Sequence, residues 1–190
     1  MIDTALAQAI LAFWFGPAPH AARAEWFRKD PVFVASIRAR FGEAIDAAIA
    51  GGYRDWIAEP RSALARVLLL DQFPRNVHRD TACAFAGDGE ALATAIAAVD
   101  AGFDAGLDVF ERQFLYLPFE HSEDPAMHER ALARFARLAD HGGPSGALEW
   151  ARRHAAVIGR FGRYPHRNAV LGRASTPEEI AFLREPGSRF

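Results

Sequence analysis

The stretch Pro60-Arg61-Ser62-Ala63-Leu64-Ala65-Arg66-Val67-Leu68-Leu69-Leu70-Asp71-Gln72-Phe73-Pro74-Arg75-Asn76 decides the fold. Pro60 suits the first helical position, where its missing N–H is one of the groups left unbonded anyway. Leu64, Val67, Leu68 and Leu70 then surround the axis, which predicts a helix placed centrally rather than one with a solvated face. The same spacing carries Asp71 onto the face of Leu64 and Leu68, so a carboxylate should point inward. Pro74 should break this helix, because proline removes an intrahelical donor and its ring crowds the turn before it.

Outward from this segment, apolar residues recur at three and four rather than at two, which predicts helices throughout. Leu6, Ile10, Phe13 and Trp14 define a first helix ending near Gly16-Pro17, and Trp26-Phe27 close a short second one. Asp30-Pro31 pairs an N-cap with Pro at the first helical position and opens a helix through Phe33, Ile37, Phe41, Ile45 and Ile49 to Gly51-Gly52. Further helices are expected at about 89–100, 107–117 and 147–161. Asp124-Pro125 opens another, carrying Ala131, Leu132, Phe135 and Leu138, and Thr176-Pro177-Glu178-Glu179 has capping-box spacing for the last. Serial helices with short connections imply an all-α single domain over 1–190, built of antiparallel helix pairs as an irregular bundle or array.

Composition excludes several classes. With 51% apolar and 24% charged residues the chain is neither disordered nor fibrous, and 190 residues suffice for a sizeable core. A formal charge of -2 gives no basic face for nucleic acid. Of 22 Lys+Arg only Lys29 is lysine, leaving 21 arginines, so part of any arginine cluster is compositional background. Cys83, the single cysteine, sits among Ala82, Ala84 and Phe85 and reads as a buried thiol that forms no intrachain disulfide. Apolar runs such as Val67-Leu68-Leu69-Leu70 fall far short of a membrane span, and no basic segment precedes an apolar run at the N-terminus. A cytoplasmic protein is the expectation.

Three polar stretches mark a site. Phe73-Pro74-Arg75-Asn76-Val77-His78-Arg79 is echoed by Tyr164-Pro165-His166-Arg167-Asn168-Ala169-Val170-Leu171-Gly172-Arg173, with Leu117-Pro118-Phe119-Glu120-His121-Ser122-Glu123 between them. If the two Pro-Arg-Asn corners face each other, Arg75, Asn76, Arg79, Arg163, His166, Arg167 and Asn168, with Glu123 nearby, surround a phosphate or carboxylate with fixed donors. Asp71 would orient a cationic or histidine neighbour, and His121 or His154 would move protons, histidine having a pKa suited to that work. The structural alternative stays open for each: Asp71 in an ion pair, Asn and Arg tying turns, His154 hydrogen-bonded in the core, His121 capping the helix at Pro125. Asp71, Glu120, His121, Glu123, His154 and His166 have metal-ligand chemistry but no ligand spacing, so neither metal nor cofactor is expected.

In these motifs the chain resembles the bacterial domain of unknown function family 924. The resemblance rests on Ile10-Leu11-Ala12-Phe13-Trp14-Phe15-Gly16, Trp26-Phe27 with Asp30, Leu70-Asp71-Gln72-Phe73-Pro74-Arg75-Asn76, Tyr116 through Glu123, and His154 with Phe161 through Asn168. It continues through Leu171-Gly172-Arg173 and Ser175-Thr176-Pro177-Glu178-Glu179 to Phe182-Leu183, with His128 where the family pattern has Gln. The resemblance implies a helical array similar to tetratricopeptide-like hairpins and brings no activity with it. Two readings follow: an internal polar pocket for a small anionic metabolite, or a helix-array module that takes a protein segment while the polar motifs lock helix ends.

Overall fold

The computed structural model describes residues 4–188, all of them helical or in connecting turns, with no strand among them. The helices are α1 (Thr4–Phe15), α2 (Pro31–Ile49), α3 (Pro60–Val67), α4 (Phe73–Val77), α5 (Asp88–Asp100), α6 (Val109–His121), α7 (Pro125–Asp140), α8 (Ala147–Phe161) and α9 (Pro177–Phe182). α3 is packed by α1, α5 and α6, while α6, α7 and α8 stack in chain order. The all-α expectation holds. Trp14, Trp56, Phe73, Phe114, Phe119 and Phe135 fill the core.

The ends form where the capping residues dictate. Asp30 Oδ1 accepts from the amides of Val32 and Phe33, both at 3.0 Å, and Pro31 follows it, so α2 starts as its sequence requires. Asp108 with Glu111 and Thr176 with Glu179 make complete capping boxes at α6 and α9. The short second helix expected at Trp26 is a single turn, Ala24–Trp26.

Two prolines do not end their helices as expected. Between α3 and α4 the backbone widens into a π-turn over Leu68–Gln72, where the Phe73 amide reaches back to the Leu68 carbonyl, and the helix then continues through Pro74 to Val77. The widened turn gives the ring room, and the Leu70 carbonyl, which Pro74 cannot serve, packs against the backbone of Gly87. Pro118 likewise lies inside α6, which runs on to His121. Glu120 and His121 are therefore helical rather than part of a pre-helix loop, and their direction is fixed by the helix.

Two smaller expectations change. Cys83 is exposed, because it sits in the short turn Ala82–Phe85 before α5, where Ala84 takes the inward position. One segment, Ala82–Asp100, is long and apolar enough by length and composition to cross a membrane. Its Ala91, Ala95 and Ala98 are fully buried in the core.

Gly87 holds α5 against the π-turn. A Cβ there would lie 2.3 Å from the Leu70 carbonyl oxygen, closer than backbone atoms can approach. Gly87→Ala should lower stability by about 1–3 kcal/mol through overpacking, measured by urea unfolding, whereas Gly89→Ala, with open space around it, should not.

Candidate functional site

The π-turn delivers Asp71 to the interior with no exposed surface. A buried carboxylate requires partners for its charge and lone pairs. They are present: His121 Nδ1 lies 2.7 Å and Arg75 Nη1 3.1 Å from Asp71 Oδ1, and Gln72 Nε2 donates to Oδ2 at 2.6 Å. Burial alone would favour the neutral acid, but the charge of Arg75 and the interactions with His121 and Gln72 hold the carboxyl well below the usual range. An ionised Asp71 can only accept, so Nδ1 of His121 carries the proton and Nε2 is left as an acceptor.

Asp88, at the first position of α5, brings the two Pro-Arg-Asn corners together. Arg75 grips it with two bonds of 2.7 and 3.0 Å, and Arg167 Nη1 donates at 3.1 Å to Oδ2, which Arg75 Nη2 also binds. One arginine of each corner thus meets the same carboxylate. The anion found between them is an internal one, and Asp88 carried no motif that pointed to it; its N-terminal place on a helix, after Gly87, is the only sequence signal. Arg167 also donates through Nη2 to the His121 carbonyl at 3.0 Å and stacks over Phe85 and Tyr164, at 4.6 and 4.5 Å from their ring centres. Its Nε is buried and has no hydrogen-bond partner among the described residues.

A cleft of about 290 Å³ opens between the start of α5, the end of α6 and the second corner. His121, Arg167 and Glu123 line it together with Asp88 and Ser122, against apolar walls from Phe85, Leu92, Pro118 and Leu171. Asp71, Arg75 and His154 stand behind this lining. Burial, then the charge of Arg75, lowers the pKa of His121 below its ordinary value, against the pull of Asp71. The imidazole is therefore a neutral acceptor at neutral pH.

His154 and Glu120 form a second pair beside the first, with the His121 and His154 rings 6.2 Å apart. His154 Nδ1 lies 2.9 Å from the Trp150 carbonyl and 3.0 Å from Glu120 Oε1. This is no ion pair at neutral pH. Burial, then the negative charge of Asp71, raises Glu120 to about 8, while burial, then His121, lowers His154 to about 3. In sequence Glu120 stands beside His121 among the residues of metal-ligand chemistry, and nothing there marks it as a protonated acid.

The remaining expected residues divide. Glu123 closes a lock: it accepts from the Tyr164 amide at 2.7 Å and from both terminal nitrogens of Arg173 at 2.6 and 2.9 Å. Asn168 is fully buried and donates to Ser175 and Glu179, and Arg163 grips Glu179 at 2.6 and 2.8 Å, so these two secure α9 and do not line the cleft. His166 lies against Tyr164, its pKa lowered to about 3 by burial and then Arg167. Asn76 donates to the Gln72 carbonyl at 2.9 Å. Arg79 is exposed and makes no hydrogen bond or ion pair among the described residues, so it stands apart from the cluster. His128 is buried and its Nε2 lies 2.7 Å from the Ser122 carbonyl.

The family model for bacterial proteins of unknown function (DUF924) matches residues 10–187. The solved structure of a protein of unknown function from Agrobacterium tumefaciens is 39% identical, superposes with a TM-score of 0.86, and the match covers 95% of this chain and 98% of that one. No curated protein matches.

The protonated state of Glu120 has a measurable consequence. A carboxyl raised from 4.5 to about 8 on folding contributes stability in full below the unfolded value and loses it as pH rises through the folded one. Glu120→Gln, which cannot ionise, should therefore gain stability relative to the wild type as pH is raised from about 4.5 to about 8. Urea titrations across this range check it; a difference that does not change with pH would show Glu120 ionised throughout.

Proposed function

Taking as premise that the chain belongs to the bacterial family of unknown function DUF924, we propose that it binds a small anionic metabolite, a phosphate or carboxylate, and acts on it by proton transfer. His121 is the general base through Nε2, Asp71 positions it, and Arg167 receives the anionic group. The observation that carries this reading is the 2.7 Å bond from His121 to a fully buried Asp71, on a ring that also lines the cleft. A base held in one tautomer by a buried carboxylate, with its other nitrogen toward a cavity, is the arrangement proton abstraction requires.

Two further features support the anionic class. Arg167 lines the cleft, and its Nε is a buried donor without a hydrogen-bond partner among the described residues, a state that costs about 1–3 kcal/mol and that a shift of the side chain toward an anion would relieve. In addition, the inner cluster is balanced, with Arg75 and Arg167 set against Asp71 and Asp88. An arriving anion would leave one negative charge in excess unless His121 takes up a proton. Binding and protonation of His121 are thereby coupled, whether the proton comes from the ligand or from solvent. The reading places the protein in the cytoplasm, consistent with a single thiol and no possible intrachain disulfide.

The interaction-module reading draws on the second corner. Arg163, Asn168, Arg173, Glu123 and Glu179 satisfy one another there, as a purely structural lock would. On that reading the tetratricopeptide-like array takes a protein segment and the cleft stays unresponsive to small anions.

Calorimetric titration of phosphorylated and carboxylated metabolites, preselected by thermal shift, separates the two. The wild type should bind a member of this class, and a ligand with no proton to give to His121 should bind with proton uptake from the buffer, seen as a dependence of the heat on the buffer's ionisation enthalpy. Arg167→Ala should weaken binding roughly 10- to 100-fold, the range for a lost hydrogen bond to a charged group, and His121→Asn should abolish the proton uptake. Equal responses in the wild type and a folded Arg167→Ala variant would sink the anion assignment.

A further inference from the structure

A second cleft, of about 280 Å³, lies between α6, α7 and the turn at 103–106, and shares no lining residue with the first. Arg112 and Tyr116 come from α6, Arg134 and Arg137 from α7, His141 from just beyond α7, and Asp104 from the turn. We propose that this cleft is a binding site for a doubly charged anion, a phosphate group carried on a small molecule or free.

The charge count sets it apart from the His121 cleft. Three guanidiniums face one carboxylate, and Asp104 is already engaged, its Oδ2 accepting from the Tyr116 hydroxyl at 2.6 Å and from Arg134 Nη1 at 3.1 Å. The surplus is therefore two positive charges. In the first cleft each arginine meets an internal carboxylate; here the carboxylates run out. Arginines three apart on one helix face, as Arg134 and Arg137 are, repel each other unless a counter-charge lies between them.

Two of the donors, Arg112 and Arg134, are also held in place. Arg112 is pinned by Nε to the Leu107 carbonyl at 2.8 Å and by Nη2 to the Ala105 carbonyl at 3.1 Å, which leaves Nη1 for a ligand. Arg134 is tied at Nη1, which leaves its other nitrogens, and the Arg137 guanidinium has no hydrogen bond or ion pair among the described residues. His141 Nδ1 lies 2.6 Å from the Arg137 carbonyl, so it is the donor there and Nε2 is directed elsewhere. The C-terminal dipole of α7 favours a cation near Arg137 and His141. It does not account for Arg112, which another helix supplies. Convergent planar guanidiniums from separate elements match the oxygens of a phosphate, and the volume suits a small ligand.

The test is titration of inorganic phosphate, followed by ³¹P NMR and calorimetry at ionic strength matched with chloride. The wild type should bind it saturably, and Arg137→Ala should bind at least about tenfold more weakly while melting at the wild-type temperature without phosphate, since Arg137 is exposed. Arg112→Gln provides a second variant, expected to weaken binding likewise. Arg167→Ala should keep one saturable phosphate site that Arg137→Ala weakens, whatever it does to anion binding in the first cleft, and this separates the site from the one proposed above. Absence of saturable binding, unchanged affinity in Arg137→Ala, or loss in Arg167→Ala with retention in Arg137→Ala would each overturn the proposal.

Discussion

A carboxylate with no exposed surface has to be matched from within, and Asp71 is the group whose matching organises this protein. His121 and Arg75 meet one of its oxygens and Gln72 the other. Arg75 is then drawn to Asp88 at the start of α5, and Asp88 draws Arg167 from the far end of the chain. Each compensation recruits the next element. The central helix, α5, α6 and the second corner are thereby tied through one chain of charges, and the cleft lies where that chain approaches the surface.

The helices were legible because their signals are local. Apolar spacing and caps such as Asp30-Pro31 and Thr176 through Glu179 act within a few residues of themselves and need nothing from the rest of the fold. Pro74 and Pro118 were misread for the opposite reason. Whether a proline stops a helix depends on whether the carbonyl it leaves unserved is accommodated, and at Leu70 that is decided by Gly87, seventeen residues downstream. Local rules are expected to give way at functional or strained sites, and both prolines flank the Asp71–His121 pair.

The site was legible as a set of residue types and not as a set of partners. Asp71 could be placed inside by its spacing with Leu64 and Leu68, and the repeated Pro-Arg-Asn corner signalled convergence. What the pattern could not contain was the identity of the anion between the corners. Asp88 is an ordinary first-turn acid in sequence, and only packing makes it the common partner of Arg75 and Arg167. The same blindness affected the arginines as a class. With nearly all positive charge in Arg, no single one stood out, and the uncompensated group on α6 and α7 carried no motif.

Charge balance, more than charge itself, distinguishes what the two clefts can do. Around His121 the guanidiniums and carboxylates cancel, while the titratable neighbours are held in their neutral forms: His121 and His154 by burial first, and Glu120 by burial and then by Asp71. Such a cluster resists any change in charge that is not accompanied by a proton, because uncompensated charge is costly in a poorly solvated interior. It holds an acceptor at His121 Nε2 and, one residue before it on α6 and paired with His154, a carboxylic acid at Glu120. The cleft between α6 and α7 has a standing surplus and no such neutral pair, so it can hold an anion without moving a proton. On the two readings proposed above, the same residue type, arginine, serves proton transfer in one place and plain anion binding in the other, according to how many carboxylates the fold supplies beside it.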